Sequence, residues 1–215
     1  MIIRKTRKQK NIKNKNHKNK NQWEDHLTKK AKSENYPARS VYKLEEIQNK
    51  FKIIQKNDNV LDLGCAPGSW LLYAAKQTGK KGMVYGIDLK ENDIKLPLNI
   101  IVIQDNILNL KNSDFLNKDK KFNVVLSDMA PATTGRKDVD TLRSFELCNM
   151  ALKIADDFLI ENGNFICKIF QGNDFNSFQQ KVKSRFKICK IFKPESCRKH
   201  SKEIYIIGKG KKSKA

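Results

Sequence analysis

The sequence predicts an α/β domain built around a mostly parallel, doubly wound sheet. Short apolar runs alternate with segments of helical periodicity, a rhythm typical of repeated strand-helix-strand units. The first predicted strand ends in a glycine-bearing turn that opens a helix. Only a proline-containing loop separates the last two predicted strands, so we expect them to pair antiparallel and one strand to be reversed near the C-terminal edge.

The predicted elements follow one another in a regular order. A helix over residues 40–51 leads into the core, because its apolar side chains recur on one face. The later segments are strand 59–63, helix 70–78, strand 82–87, strand 100–103, strand 122–127, helix 139–160, strand 164–170, helix 175–185, strand 186–192 and strand 203–207. No apolar run approaches the ~20 residues that a membrane span requires, which excludes a transmembrane protein.

Basic residues dominate the composition and are concentrated at the two ends of the chain. Lys and Arg number 44 against 23 Asp and Glu, a formal net charge of +21 that favours a polyanionic partner such as nucleic acid. Residues 1–33 favour Lys and Asn without apolar periodicity, so we interpret them as a disordered basic arm. A transit peptide and biased genomic base composition are the alternatives. The folded domain is then predicted at 34–208, followed by a basic tail at 209–215.

Five cysteines lie far apart in the chain: Cys65, Cys148, Cys167, Cys189 and Cys197. An odd number without a Cys-x-x-Cys pair predicts neither a disulfide framework nor a zinc site. We therefore expect reduced thiols, a cytoplasmic location with an organelle as the alternative, and no bound metal.

A glycine-bearing turn follows the first strand, where residues 62–70 read Asp-Leu-Gly-Cys-Ala-Pro-Gly-Ser-Trp. Gly64 and Gly68 lack the Cβ atoms that would keep a ligand from the backbone, and the Asp62 carboxylate is placed to accept hydrogen bonds or attract a cation. The turn matches neither the dinucleotide fingerprint nor the Walker pattern, which favours a ligand without a pyrophosphate. Alternatively, the glycines only allow a tight connection between strand and helix.

Acidic residues also follow the next strands of the predicted sheet. Asp88 ends the second strand roughly twenty residues beyond the turn, the place where an acid accepts ribose hydroxyls in nucleoside-binding α/β folds. Asp105 follows the third strand and Asp128 the fourth, although a helix cap explains Asp105 equally well. An acidic crevice of this kind suits the sulfonium of S-adenosylmethionine better than it suits a phosphate.

Three further charged residues stand where apolar residues are expected. Lys168 lies within the apolar strand 164–170, and burying an ammonium group is costly unless an acid pairs with it. Alternatively, its side chain reaches solvent at a strand edge. Lys43 lies on the apolar side of the helix 40–51, and Glu203 opens the last strand. Taken singly, a residue such as Lys43 or Glu203 is more often a surface charge.

Five stretches of the chain carry a family resemblance. They are residues 39–47 (Arg-Ser-Val-Tyr-Lys-Leu-Glu-Glu-Ile), the turn 62–70, residues 127–131 (Ser-Asp-Met-Ala-Pro), 168–172 (Lys-Ile-Phe-Gln-Gly) and 201–205 (Ser-Lys-Glu-Ile-Tyr). In this order they resemble the FtsJ-like (RrmJ/RlmE) ribosomal RNA 2′-O-methyltransferase family, from residue 36 to residue 208. The resemblance implies a Rossmann-like S-adenosylmethionine-dependent methyltransferase fold with a seven-stranded sheet. Ser69 departs from the family pattern, because many relatives have a second glycine there.

The resemblance also implies roles for individual residues. The family's catalytic Lys-Asp-Lys-Glu tetrad corresponds to Lys43, Asp128, Lys168 and Glu203. The residues that line the S-adenosylmethionine pocket correspond to Gly68, Trp70, Asp88, Asp105 and Asp128. The implied reaction is methyl transfer to a ribose 2′-hydroxyl of RNA, at a uridine of 23S-type ribosomal RNA in the large subunit, by a monomer. It stays open whether Lys168 acts as a neutral base or as a charged group that orients the hydroxyl.

Other substrates and functions also stay open at this level. Relatives of the family modify transfer RNA, messenger RNA caps and organellar ribosomal RNA. A non-catalytic, basic RNA-binding factor for ribosome assembly is a second hypothesis, which the presence of all four tetrad charges disfavours. A nucleotide-dependent oxidoreductase is disfavoured because the turn lacks the dinucleotide pattern.

Overall fold

Seven strands form one sheet in the computed structural model, which describes residues 26–92, 94–112, 120–198 and 200–213. The strands are β1 (Asn59–Leu63), β2 (Met83–Asp88), β3 (Ile100–Gln104), β4 (Phe122–Ser127), β5 (Leu159–Phe170), β6 (Phe186–Phe192) and β7 (Glu203–Lys211). Their order across the sheet is β3-β2-β1-β4-β5-β7-β6. Strands β1 to β5 pair in parallel, and β7 runs antiparallel to both of its neighbours. The predicted sheet with one reversed strand near its C-terminal edge is confirmed.

Five α-helices lie within the described residues: α1 (residues 26–33), α2 (Val41–Phe51), α3 (Ser69–Thr78), α4 (Lys137–Phe158) and α5 (Phe175–Arg185). A short 3₁₀ helix, Ile107–Asn112, follows β3. In this part of the chain, no helix combines the length and the apolar character that crossing a membrane requires.

The helices cover both faces of the sheet. Helices α1, α2 and α3 pack on one face, where Leu44 and Leu71 meet Tyr205 of β7. Helices α4 and α5 pack on the other face, where Phe158 and Phe178 meet the opposite side chains of the strands. Successive side chains of a strand point to opposite faces, which separates these two cores. Ligands of such open α/β sheets bind beyond the carboxyl ends of the parallel strands.

The predicted boundary of the basic arm at residue 33 is wrong, because α1 belongs to the folded domain. Ala31 is only 1% exposed, and Leu27 packs against the same apolar cluster. The Tyr42 hydroxyl donates a hydrogen bond to Glu34 (3.0 Å), and the Lys30 ammonium lies 4.5 Å from the centre of the Tyr42 ring. These tertiary contacts stabilise a helix too short to be stable alone. The rest of the predicted arm lies outside the described residues.

The predicted end of the domain at residue 208 is wrong as well. Strand β7 continues to Lys211, which pairs with Phe186 of β6. The Lys211 ammonium donates to the carbonyls of Ala155, Asp156 and Leu159, at 3.0, 2.7 and 2.8 Å. These carbonyls end α4, where a positive charge is favourable. A lysine of the predicted tail is therefore part of the fold.

Helix α4 ends at Phe158, before the predicted end at Ile160, and β5 begins at Leu159 rather than at Asn164. Leu159 is 3% exposed and pairs with Phe122 of β4. Leu159 and Ile160 are consecutive apolar residues that fit a helical and a strand pattern equally well, so periodicity cannot place the boundary between α4 and β5.

Candidate active site

Three neighbouring strands bring charged residues to one edge of the sheet. Strands β4 and β5 are parallel, so their carboxyl ends meet at the same edge, and antiparallel β7 begins there. Asp128 directly follows β4, and Glu203 is the first residue of β7. Glu203 pairs with Phe170 at the end of β5, two residues after Lys168. Three of the four predicted tetrad residues thus lie on, or directly after, adjacent strands.

Lys168 is buried against a carboxylate, as its place in an apolar strand predicts. Its side chain is 7% exposed, and its Nζ lies 3.0 Å from Oδ1 of Asp128. The same ammonium group also donates to the main-chain carbonyl of Asp128. A buried lysine of this kind is stable because its charge is paired and hydrogen-bonded.

Tyr205 is a site residue that the sequence analysis did not single out. Its hydroxyl donates to Oδ1 of Asp128 at 2.6 Å, and its ring lies 5.9 Å from that of Trp70. Burial raises the pKa of Tyr205 well above its usual value, and the charges of Asp128 and Glu203 raise it further. The hydroxyl therefore keeps its proton and fixes the Asp128 carboxylate. Tyr205 pairs with Lys168 across β5 and β7, a register that the sequence alone does not give.

Lys43 completes the cluster from α2. Its Nζ lies 2.7 Å from Oε1 of Glu203, and both side chains are largely buried. Burial alone would lower the pKa of Lys43, but the charges of Asp128 and Glu203 outweigh burial and raise it. Lys43 therefore stays protonated near neutral pH, and the four predicted tetrad residues form one electrostatically coupled unit.

The glycine-bearing turn lies beside this cluster, at the end of β1. Gly64 and Gly68 have φ angles of +74° and +102°, a region that residues with a Cβ rarely adopt. A Cβ at Gly64 would collide with Met129, and one at Gly68 would collide with Ile94. A cavity opens beside the turn, lined also by Ser40, Asp62, Ser69, Trp70 and Asp128. Two of the predicted pocket residues, Trp70 and Asp128, thus line this cavity.

Asp88 and Asp105 lie farther along the same edge of the sheet. The carboxylate of Asp88 accepts hydrogen bonds from the backbone N–H groups of Ala66 and Lys90, both at 2.9 Å, and so holds the turn in place. The backbone N–H of Asp105 donates to the Asp88 carbonyl at 3.0 Å. Oδ1 of Asp105 accepts from the backbone N–H of Asn106 at 2.6 Å. One of its oxygens is therefore already used by the protein.

Asp62, which the turn sequence placed to accept hydrogen bonds or attract a cation, is a buried carboxylate of β1 that lines the cavity. It is absent only from the pocket residues that the resemblance implied. It is 1% exposed, and neither of its oxygens has a hydrogen-bond partner within the described residues. Burial raises its pKa well above the usual range, and the charges of Asp128 and Asp88 raise it further. Unpaired buried acceptors are costly unless a ligand supplies donors. The cavity therefore fits a cationic ligand, and S-adenosylmethionine carries both a sulfonium and an ammonium group.

The fold and this edge together define the class of protein. A crevice that offers carboxylates to a cation, on a Rossmann-like sheet with one reversed strand, is the arrangement of a methyltransferase. The chain belongs to the FtsJ-like methyltransferase family, whose model matches residues 36–211. The resemblance carried by the five sequence stretches is thereby confirmed.

Relatives support this assignment along almost the whole chain. A protein of Desulforapulum autotrophicum named ribosomal RNA large subunit methyltransferase E is 58% identical over 191 residues, which cover 89% of this chain and 94% of the relative. A protein of the same name from Desulfatibacillum aliphaticivorans is 52% identical over 191 residues, which cover 88% of this chain and 92% of the relative.

Solved structures share the fold. A protein of Plasmodium falciparum, described as a ribosomal RNA methyltransferase, superposes with a TM-score of 0.70 at 30% identity. The superposition covers 83% of this chain and 100% of the Plasmodium chain. Fibrillarin of Aeropyrum pernix, solved in complex with S-adenosyl-L-methionine, reaches a TM-score of 0.57 at 14% identity, covering 79% of this chain and 76% of its own. At that identity, fibrillarin supports the fold alone.

Proposed function

We propose that the chain transfers a methyl group from S-adenosylmethionine to a ribose 2′-hydroxyl of RNA, at a uridine of large-subunit ribosomal RNA. The observation that carries this proposal is the meeting of two ion pairs, Lys168 with Asp128 and Lys43 with Glu203, beside the unpaired carboxylate of Asp62. A hydroxyl acceptor must lose its proton during methyl transfer, and a cluster of coupled charges provides the groups that manage it.

The residues after β1, β2 and β3 form the cofactor side of the proposed site. S-adenosylmethionine, when bound, supplies a methyl group that its sulfonium has already activated for transfer. The turn with Gly68 and Trp70 would hold its amino-acid portion, and Asp62 would accept from its cationic groups. Asp88 and Asp105 would line the nucleoside portion, with the free lone pairs of Asp88 accepting the ribose hydroxyls.

The tetrad forms the acceptor side. Lys168 would contact the 2′-hydroxyl, either to take its proton or to orient it, while Asp128 and the Tyr205 hydroxyl fix Lys168 in place. The Lys43–Glu203 pair would close the other side of the acceptor ribose. Such alignment of two reactants is worth several kcal/mol of the activation barrier.

Ribosomal RNA is the proposed substrate for two reasons. The relatives at 52–58% identity bear the name of a large-subunit ribosomal RNA methyltransferase. The net charge of +21 suits a polyanion. We place the reaction in the cytoplasm and infer a monomer, with transfer RNA or organellar ribosomal RNA as alternative substrates of the same chemistry.

The proposal is tested by mapping 2′-O-methyl groups in total RNA from cells with and without the protein. We expect one uridine of the large-subunit RNA to lose its methyl group, and the purified protein with S-adenosylmethionine to restore it. Loss of a methyl group from transfer RNA instead would identify transfer RNA as the substrate. Binding of RNA without any transfer would favour the non-catalytic assembly factor.

Substituting Asp88 tests the cofactor side. Asp88→Ala should weaken S-adenosylmethionine binding by roughly 1.5 to 3 kcal/mol, the scale of charge-assisted hydrogen bonds. Calorimetry measures this affinity. Asp58→Ala is the matched control, because Asp58 also accepts a backbone N–H, from Gln55 (2.7 Å), but precedes β1 at the opposite edge of the sheet. Equal affinities for wild type and Asp88→Ala would remove Asp88 from the site.

Deleting residues 1–20 tests the contribution of the N-terminal charges. This segment carries nine Lys and Arg and no acid, so it should bind phosphate and add affinity rather than specificity. We expect the slope of log affinity against log salt to fall by about 0.7 for each charge that contacts single-stranded RNA. The methylated nucleotide and the melting temperature should stay the same. Identical slopes would mean that the segment makes no contact, and a shifted methylation site would mean that it selects the target.

A further inference from the structure

A second cavity lies at the same edge of the sheet, outside the proposed cofactor site. It is an open cavity of about 150 Å³, lined by Lys137, Asp140, Thr141, Phe170, Ser201 and Lys202. None of these six residues belongs to the tetrad or to the predicted cofactor pocket, so the cavity has no role in the function proposed above.

The strand order places this cavity on the acceptor side. The glycine-bearing turn follows β1, Asp128 follows β4, and the cavity lies where β5 ends and β7 begins, so the tetrad separates it from the turn. Phe170 pairs with Glu203, and the backbone N–H of Gln171 donates to the Lys202 carbonyl at 2.9 Å. The Ser201 hydroxyl accepts from the Glu203 N–H at 3.2 Å. The cavity therefore adjoins the Glu203 end of the tetrad.

The charges around the cavity differ from those of the tetrad. Lys43 and Lys168 are buried in ion pairs, whereas the exposed side chains of Lys137 and Lys202 make neither an ion pair nor a hydrogen bond with the residues that the structure describes. Asp140 also lines the cavity, and one of its oxygens, Oδ1, accepts from the N–H and hydroxyl of Thr134, at 2.7 and 2.9 Å. Two unpaired ammonium groups thus remain available for an anion.

We propose that this cavity binds the nucleotide next to the acceptor in single-stranded RNA, with Lys137 and Lys202 contacting its phosphates and Phe170 lying against its base or ribose. Cationic side chains that follow the backbone, together with an aromatic ring, are the usual means of holding an unpaired nucleotide. The inference rests on the proposed function, because it assigns the acceptor side of that site. Holding the neighbouring nucleotide would position the 2′-hydroxyl at the tetrad.

The test compares Lys137→Gln, Lys202→Gln and the double variant with wild type, using oligouridylate as the probe in fluorescence anisotropy at several salt concentrations. Each substitution should lower the slope of log affinity against log salt by about 0.7, and the double variant by about 1.4. Near physiological salt, each should weaken binding roughly three- to fivefold. Lys153→Gln is the matched control, because Lys153 is exposed on the same helix, about 24 Å from Lys137. Its slope should equal that of wild type.

A second measurement separates this inference from the proposed reaction. With unmethylated large ribosomal subunits as substrate, the double variant should lower kcat/KM at least tenfold while its affinity for S-adenosylmethionine stays the same. Variants with wild-type slopes and wild-type kcat/KM, or a Lys153→Gln variant with equal losses, would overturn the assignment. The anisotropy measurement needs no methyl transfer, so it decides the role of the cavity even if the wild-type protein fails to methylate RNA.

Discussion

Lys168→Ala should reduce methyl transfer to RNA by about 10²- to 10⁴-fold, the range that a group managing a proton contributes. Its affinity for S-adenosylmethionine should stay within a few fold of wild type, because Lys168 lies on β5 and is assigned to the acceptor side. Single-turnover transfer and calorimetry measure the two quantities. Lys153→Ala, an exposed lysine on α4, is the control and should behave as wild type.

Lys168→Arg separates the two roles left open for this residue. Arginine keeps the charge and the hydrogen-bonding capacity but does not lose a proton in proteins. Retained activity would assign Lys168 to orienting the hydroxyl, whereas a loss as large as that of Lys168→Ala would favour proton transfer. A folded Lys168→Ala variant with wild-type activity would refute the mechanism altogether.

Asp62→Asn should stabilise the ligand-free protein and weaken its binding of S-adenosylmethionine. The pKa of Asp62 is raised in the folded state, so the folded protein holds this proton at pH values where the unfolded chain has lost it. Stability is therefore lost as the pH rises from the ordinary carboxyl range through the folded pKa. Asparagine has no such proton. Above the folded pKa, the free energy of unfolding of the variant should therefore exceed that of wild type by about 1.4 kcal/mol for each unit that separates the folded and unfolded pKa of Asp62.

Melting curves as a function of pH measure this effect. The difference in Tm between variant and wild type should be small near pH 4 and should grow with pH, by about 2–4 °C per kcal/mol for a chain of this length. Calorimetry should show S-adenosylmethionine affinity reduced at least tenfold, because a charge-assisted hydrogen bond is lost. A pH-independent Tm difference would mean that Asp62 is not the unpaired buried acid described above.

Much of the sheet and part of the site follow from local sequence. The place of Lys168 in an apolar strand predicted an acid partner, and the family resemblance grouped it with Asp128, which lies 3.0 Å away in the structure. The partnership of Lys43 with Glu203 depends on the docking of α2 against β7, 160 residues apart. Only the family resemblance, and no local pattern, pointed to that pair.

Features that rest on tertiary contacts were not predictable from periodicity. Helix α1 has only Leu27 and Ala31 to mark its buried face among lysines. The carboxylate of Glu46 accepts from the N–H groups of Glu195 and Ser196, at 2.6 and 2.9 Å, and so holds the loop before β7. Like Tyr205, these residues match ordinary helix or strand patterns, and their polar partners are distant in sequence.

Strand β7 lies between β5 and β6 in the sheet but is synthesised after both, so the tetrad is completed only when the last strand has been made. Glu203 and Tyr205 lie on β7, which is translated after every strand that it joins. Until then β5 and β6 have unpaired edges, which are prone to aggregation, and the Asp128 carboxylate lacks one of its donors. We therefore expect the nascent chain to need protection from aggregation until β7 has been synthesised. We also expect chains that end before residue 203 to be prone to aggregation and, under the proposed mechanism, inactive.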